Sequence, residues 1–329
     1  MPPRNDDIGP NDMTGRSILL LIDIEPDPRK TRGKPGEWDG SQRALPHLEA
    51  LRRQFEKHTR NRVLFNWFIR ADPQIKKSYG RADWVAKACP QVVRTIKEHG
   101  DGCGIHPHLW RWDAHRSEWY SELTDPDWTA ECLHSSIQGF CRVFDRSPEA
   151  CRFGDRWLNQ NAVELLGDFG IRYDLTIEPG LPDAPVFDDP NATDRLPDYR
   201  KAPREPYRPS RENFLVPEAG EVNDNYLWIV PLTTTAPAWR LRRRPPYLIK
   251  VSRSPNLSLR SSYVWPHLRR QLNLKTKVPL VIVLRTGDLA RSHLFQNFIR
   301  TTERLVNHPA LVNCEFTHPA DAIGKWQAT

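Results

Sequence analysis

Residues 17–24, SILLLIDI, form a continuous apolar run that ends in a string of acids, Asp23, Glu25 and Asp27. A strand with one wet face alternates polar and apolar residues. A run without that alternation suits a strand covered on both faces, as in a parallel sheet flanked by helices. The run is much shorter than the roughly 20 residues needed to cross a bilayer. Further strand patterns occur at 62–69, 102–106, 150–153, 171–177, 226–232 and 278–284, with a short one within 310–317. Helical patterns separate them at 43–58 (Leu45, Leu48, Leu51, Phe55), 82–99 (Val85, Val92, Val93, Ile96), 127–144, 159–169, 262–272 and 294–306. Alternation of this kind implies parallel strands joined by crossover helices, an α/β architecture.

Composition refines that frame. Only 38% of the chain is hydrophobic, and there are 30 prolines. The 329 residues suit a single domain over 17–329, with a polar, disordered arm at 1–16 and long polar loops. The longest aperiodic stretch, 179–217, is expected to run across the mouth of the fold. The net charge of +7 favours anionic partners, and the run RLRRR at 240–244 reads as a solvated face. Twelve tryptophans suit stacking on sugars or bases. Nucleic acid ranks well behind a small-molecule or glycan substrate. The six cysteines, at 89, 103, 132, 141, 151 and 314, include no CxxC pair, and no apolar secretory core precedes residue 17. Free thiols and a cytoplasmic location are expected.

Three clusters carry the chemistry. Asp23 and Glu25, two apart at the end of the first strand, share a side if the strand continues. Adjacent carboxylates repel unless a cation or a shared proton relieves them. His106 and His108 are likewise two apart in GIHPHLW. Imidazoles beside a carboxylate form a usual ligand set for zinc or a similar ion, although loop caps explain either motif alone. The third cluster, CRFGDRWL, places Arg152, Asp155 and Arg156 at another strand exit, where an arginine can orient a carboxylate or bind an anionic intermediate.

The motifs LLLIDIEPD, EHGDGCGIHPHLW and CRFGDRWL, followed by NAVELLGDFGIRYDLTI, resemble in order and spacing those of polysaccharide deacetylases of the NodB-homology type, closest to a subgroup with D-x-E and H-x-H motifs. The resemblance covers 17–180 well and the remainder weakly. It implies a distorted (β/α)7 barrel and metal-dependent removal of an acyl group, usually acetyl, from an amino sugar or glycan-related substrate. By that resemblance Asp23 is the general base, and Glu25 is the acidic metal ligand with Asp27 as its substitute. His106 is the first metal histidine. Many members place the second four residues on, where this chain has Trp110, so His108 takes its place. Arg152 orients the base, and Asp174 is the acid of the next strand. Trp110, Asp155 and Arg156 are candidate substrate-binding residues. The implied cofactor is a divalent metal, zinc before cobalt, nickel or iron. The departure is late in the chain. The family supplies a proton-donating histidine after its last long strand, where this chain has Arg285, able to stabilise an oxyanion but a poor proton donor, and His293 and His318, off the motif, are the substitute donors. That leaves two further readings, a metal-free amidohydrolase of a non-sugar amide and a catalytically impaired carbohydrate-binding protein.

Overall fold

The computed structural model describes residues 15–328 except 35, 221–225, 236–255 and 262. The RLRRR run and nearly all of the N-terminal arm lie outside the described residues. The first strand, β1 (Arg16–Ile24), begins inside the expected arm, because Arg16 pairs with Cys314.

In chain order, β1 is followed by α1 (Asp39–Thr59), β2 (Asn66–Ile69), α2 (Pro73–Tyr79), α3 (Val85–Ala88), α4 (Pro90–His99) and β3 (Gly102–Ile105). A hairpin comes next, β4 (Trp110–Asp113) and β5 (Glu118–Ser121), then α5 (Pro126–Phe144), β6 (Ala150–Cys151), α6 (Gln160–Asp168), β7 (Tyr173–Asp174) and β8 (Trp228–Ile229). The chain closes with α7 (Val264–Leu272), β9 (Leu280–Arg285), α8 (Ser292–Val306), β10 (Cys314–Phe316) and α9 (Pro319–Gln327).

Seven strands, β9-β1-β2-β3-β6-β7-β8, run parallel around a barrel. The seam between β8 and β9 closes through irregular bonds: Thr233 N to Val281 O at 3.3 Å, Leu257 N to Thr233 O at 3.3 Å and Leu259 N to Val283 O at 3.0 Å. β10 pairs with Arg16–Ile18 of β1, beneath β2, which takes Leu21–Ile24. This is the distorted (β/α)7 barrel that the motifs imply.

The doubly covered first strand explains the core. Ile18, Leu20, Ile22 and Ile24 pack outward into a cluster shared with Leu48, Leu51 and Phe55 of α1 and Phe298 of α8. Leu19 and Leu21 point inward, to Phe68, Tyr173, Leu175, Val230, Val281 and Val283, above Ala322 and Ile323 of α9. Strand parity then carries Asp23 onto the inner face at the C-terminal mouth. A buried ion pair ties α1 to β2 and β3. Arg52 donates to both carboxylate oxygens of Asp101 (2.9 and 2.6 Å), which also accept from Phe65 N and Trp67 Nε1.

Two expectations are refined, and α2 is an element that the sequence patterns did not show. The helix expected over 82–99 is two helices, because the residue before Pro90 is disfavoured in helical conformation and Cys89 sits at φ −134°. The short α2 follows an Asp-Pro start, with Asp72 accepting from Ile75 N. The 179–217 segment meets the edge of the mouth, with Phe187 5.7 Å from the Arg29 guanidinium and Asp189 3.7 Å from Lys30. It docks on the β4–β5 hairpin, with Asp189 accepting from Ser121 N (2.6 Å) and Thr193 N donating to Ser121 O (3.0 Å), and then lies against β8 through Tyr207 and Ile229. Its contacts to candidate site residues come from Pro182, where Arg156 donates to the carbonyl, and from Tyr199, whose hydroxyl donates to the Arg156 carbonyl. The six cysteines are unpaired, five of them buried. No helix among the described residues is long and apolar enough to cross a membrane.

Candidate metal centre

The ends of β1, β3, β6 and β9 converge at the mouth. Glu25, His106 and His108 are all buried there, and among the described residues they form the one cluster of His, Cys, Asp and Glu donors fit to hold an ion. The two histidine Nε2 atoms are 3.3 Å apart, and Glu25 Oε2 lies 3.8 Å from His106 Nε2 and 3.4 Å from His108 Nε2. Tetrahedral zinc with bonds of about 2.0–2.1 Å needs ligand atoms roughly 3.3 Å apart. The triangle is therefore close to one face of such a tetrahedron, and these residues fit the metal.

The surrounding groups set the donors. His106 Nδ1 lies 2.6 Å from the Arg152 carbonyl, which can only accept, so Nδ1 carries the proton and Nε2 faces the ion site. His108 Nδ1 lies 3.3 Å from Asp155 Oδ2 and 3.2 Å from the donor-only Trp110 indole N–H, contacts that call for opposite tautomers; with a proton on Nδ1 the ring donates to the Asp155 carboxylate, the arrangement that presents Nε2 outward. Asp155 and Arg156 hold consecutive left-handed conformations, φ 55° and 56°. Each costs a non-glycine residue about 1–2 kcal/mol. Burial opposes ionisation of Asp155, but Arg29, 2.5 Å away, and His108 outweigh it and hold the carboxyl well below the ordinary range. Gly154 is required by packing, since a Cβ there would stand 2.2 Å from His108 Cε1 and Nε2. Asp72 accepts from His108 N and Arg70 Nε, fixing the loop backbone.

Asp23, fully buried, accepts from Arg152 Nε at 2.9 and 3.2 Å, and its carbonyl accepts from Thr286. Arg285 belongs to the same site. Parity along β9 turns it inward, and its Nε and Nη2 reach Glu25 Oε1 at 2.9 and 2.8 Å. The two oxygens of Glu25 are thus divided between Arg285 and the histidines. Burial disfavours the Glu25 carboxylate, yet Arg285 and the two imidazoles hold it well below its usual range. Asp288 completes the group, between Arg260 (2.9 Å) and Arg291 (2.9 Å).

Five expected residues lie elsewhere or act otherwise. Asp174 is the first of them. Its neighbours in sequence, Tyr173 and Leu175, take the inner face, so its side chain turns away from the lumen and accepts from Thr176 N and Oγ1 at 3.0 and 2.8 Å. Burial pushes its carboxyl up to about 7, against those bonds. Asp27 is turned toward the start of α1, where it accepts from Gly40 N, and burial raises it to about 6. His293 is exposed on α8, and His318 meets Asn66 at the opposite end of the barrel. Trp110 is buried beneath Arg29 and Lys30, each 5.5 Å from its ring centroid, which denies it the open face that sugar stacking needs. Sequence reasoning missed Arg29, Asp72, Gly154, Arg260 and Asp288. Only Asp72, before a helix-starting proline, carried a local signal.

No family model matches the sequence, and no curated protein matches it. Solved structures do. A protein provisionally assigned as a polysaccharide deacetylase from Mycobacterium smegmatis is 13% identical, with a TM-score of 0.55 over 98% of this chain and 93% of that one. The PuuE allantoinase is 12% identical, with a TM-score of 0.55 over 97% and 92%. A further provisionally assigned polysaccharide deacetylase, from Pseudomonas aeruginosa, is 12% identical, with a TM-score of 0.52 over 96% and 92%. The chain has the fold of the polysaccharide deacetylases. At these identities the likeness is one of fold, and function has to be argued from the site.

Proposed function

We propose that the protein is a metal-dependent hydrolase that removes an acyl group, acetyl foremost, from the nitrogen of an amino sugar or related amine. The observation that carries this is the Glu25–His106–His108 triangle, whose edges of 3.3–3.8 Å suit one divalent ion. A divalent ion held there supplies Lewis acidity toward a carbonyl and makes water easier to deprotonate. Asp23, beside the triangle and held by Arg152, takes the proton from the attacking water. His106 and Asp23 are kept in register because Arg152 binds one through its carbonyl and the other through its guanidinium. Arg285 is a permanent cation and a poor proton donor, so the proton needed by the leaving amine returns from Asp23. Arg285 and Arg29 stand beside the oxyanion that develops as water adds to the amide.

Arg285 on Glu25 also favours a second reading, an amidohydrolase in which the guanidinium rather than a metal neutralises that carboxylate. Elemental analysis of the purified protein separates the two. About one zinc, cobalt, nickel or iron per chain, lost in the His106→Ala/His108→Ala variant, supports the first. No metal, and none taken up on addition, overturns it.

A further inference from the structure

We propose that this site takes a substrate bearing an oxyanion, a carboxylate or a phosphate, close to the scissile amide. The inference deepens the deacylase reading and rests on it for the reaction, though not for the binding.

The charges at the mouth are layered. Asp23 (0% exposed), Glu25 (4%) and the Arg152 that holds Asp23 (6%) lie deepest, with Asp288 at 11% and Asp155 at 13% above them. The guanidiniums of Arg29, Arg260 and Arg285 stand outside them at 20–23%, and Arg291 is further out. An incoming molecule therefore meets cations first. Arginines 29, 152, 260, 285 and 291 outnumber by one the carboxylates they pair with, Asp23, Glu25, Asp155 and Asp288, and a divalent ion would add two positive charges.

The donors are not used up either. A guanidinium offers five N–H groups. Arg285 commits Nε and Nη2 to Glu25, and its Nη1 has no hydrogen bond to a described residue. Arg29 Nε is buried without a hydrogen-bond partner among the described residues. Arg29 and Arg285 flank the triangle, one through Asp155 and His108 and the other through Glu25, so an anion beside the ion site can reach both. A neutral sugar would instead call for an open aromatic face. The exposed ring at this edge is Phe187, and Arg29 already lies 5.7 Å from its centroid. Planar guanidinium forks suit carboxylate and phosphate alike.

The test is calorimetric binding to the purified protein, at low and high salt, of an N-acetylhexosamine, its 6-phosphate and a carboxylate-bearing N-acetylhexosamine. At least one anionic compound should bind ten-fold or more tighter than the neutral one, and the advantage should shrink with salt. Arg260→Gln and Arg285→Gln, each checked for fold by circular dichroism, should each cut it several-fold. Which anion binds identifies the group. Equal binding of all three, no binding of either anion at millimolar concentration, or an undiminished preference in both folded variants overturns the inference. Preferred binding without hydrolysis sinks the deacylase reading and leaves the anion site standing. Hydrolysis of the neutral compound with equal affinity for all three does the reverse.

Discussion

Gly154→Ala tests the metal centre through a residue that touches no metal. A Cβ at this position stands 2.2 Å from His108 Cε1 and Nε2 and 2.3 Å from Cδ2. Carbon atoms settle no closer than about 3.5 Å, so the ring has to retreat by about 1.3 Å. Metal–ligand bonds tolerate displacements of about 0.2 Å. His108 Nε2 now lies 3.3 Å from His106 Nε2 and 3.4 Å from Glu25 Oε2, and that retreat takes it out of the triangle. Disturbing a supporting group costs about 10–100-fold in metal affinity, and displacing the ligand itself reaches at least the upper end, about 2.7 kcal/mol.

Zinc affinity by competition with a chelator measures this directly, with a thermal melt of the metal-free protein as the control for folding. Because Gly154 does not occupy a left-handed conformation, alanine fits its backbone, and the damage falls on the imidazole. His108→Ala should lose a similar amount, and the double variant should lose no more than His108→Ala alone, since the methyl group then has nothing to displace. Unchanged zinc affinity in a folded Gly154→Ala protein, or additive losses in the double variant, would refute the placement of His108 as a ligand.

Other outcomes follow from the same structure. Asp101→Ala strands a buried Arg52, so stability should drop by about 3–5 kcal/mol, lowering Tm by roughly 6–15 °C; a change under 1 kcal/mol would show that the pair is dispensable. Asp23→Asn should retain the metal while kcat falls by about 10²–10⁴-fold, and an active variant would remove Asp23 from the chemistry. Asp174, raised by burial to about 7 from an unfolded value of 3.8, keeps its proton in the folded state where the unfolded chain has lost it. Stability should therefore fall as pH rises from about 4 to 7, by at most about 4 kcal/mol, and stay low above that. Denaturant melts of Asp174→Asn should lack this slope, and matching slopes in the two proteins would disprove the assignment.

The barrel was legible because its first strand admits few alternatives. An unbroken apolar run ending in acids needs cover on both sides and puts its last side chains at a mouth. The same parity placed Asp23 and Glu25 together and, at the end of β3, His106 and His108. Where strands shrink to two residues, as in β6, β7 and β8, parity could not be read, and Asp174, expected as the acid of its strand, turns away from the lumen. Arg29, Gly154 and Arg260 escaped for a different reason. Each acts through a contact across the mouth, and no local pattern in PDPRK, FGDR or SLRS announces a partner more than 20 residues away.

Arg285 is where the sequence departs from the deacetylase pattern, and its geometry says what restoring a histidine would do. Its side chain closes the ring of charges by gripping Glu25 Oε1 while Oε2 stays turned toward the imidazoles. An imidazole is shorter than a guanidinium and neutral for most of the range above its pKa near 6.5. In Arg285→His, Glu25 would lose the cation that holds it ionised, in a place where burial already opposes ionisation. Breaking a buried pair from one side costs about 3–5 kcal/mol, and the partial exposure of Arg285 puts this case near the lower figure. The metal-free protein should therefore melt at a lower temperature, and added zinc should recover part of the loss, because a divalent ion replaces the missing positive charge beside Glu25. A variant as stable as the parent without metal would mean that Arg285 does not support Glu25. Its position would then be open to a proton-donating histidine at no structural cost.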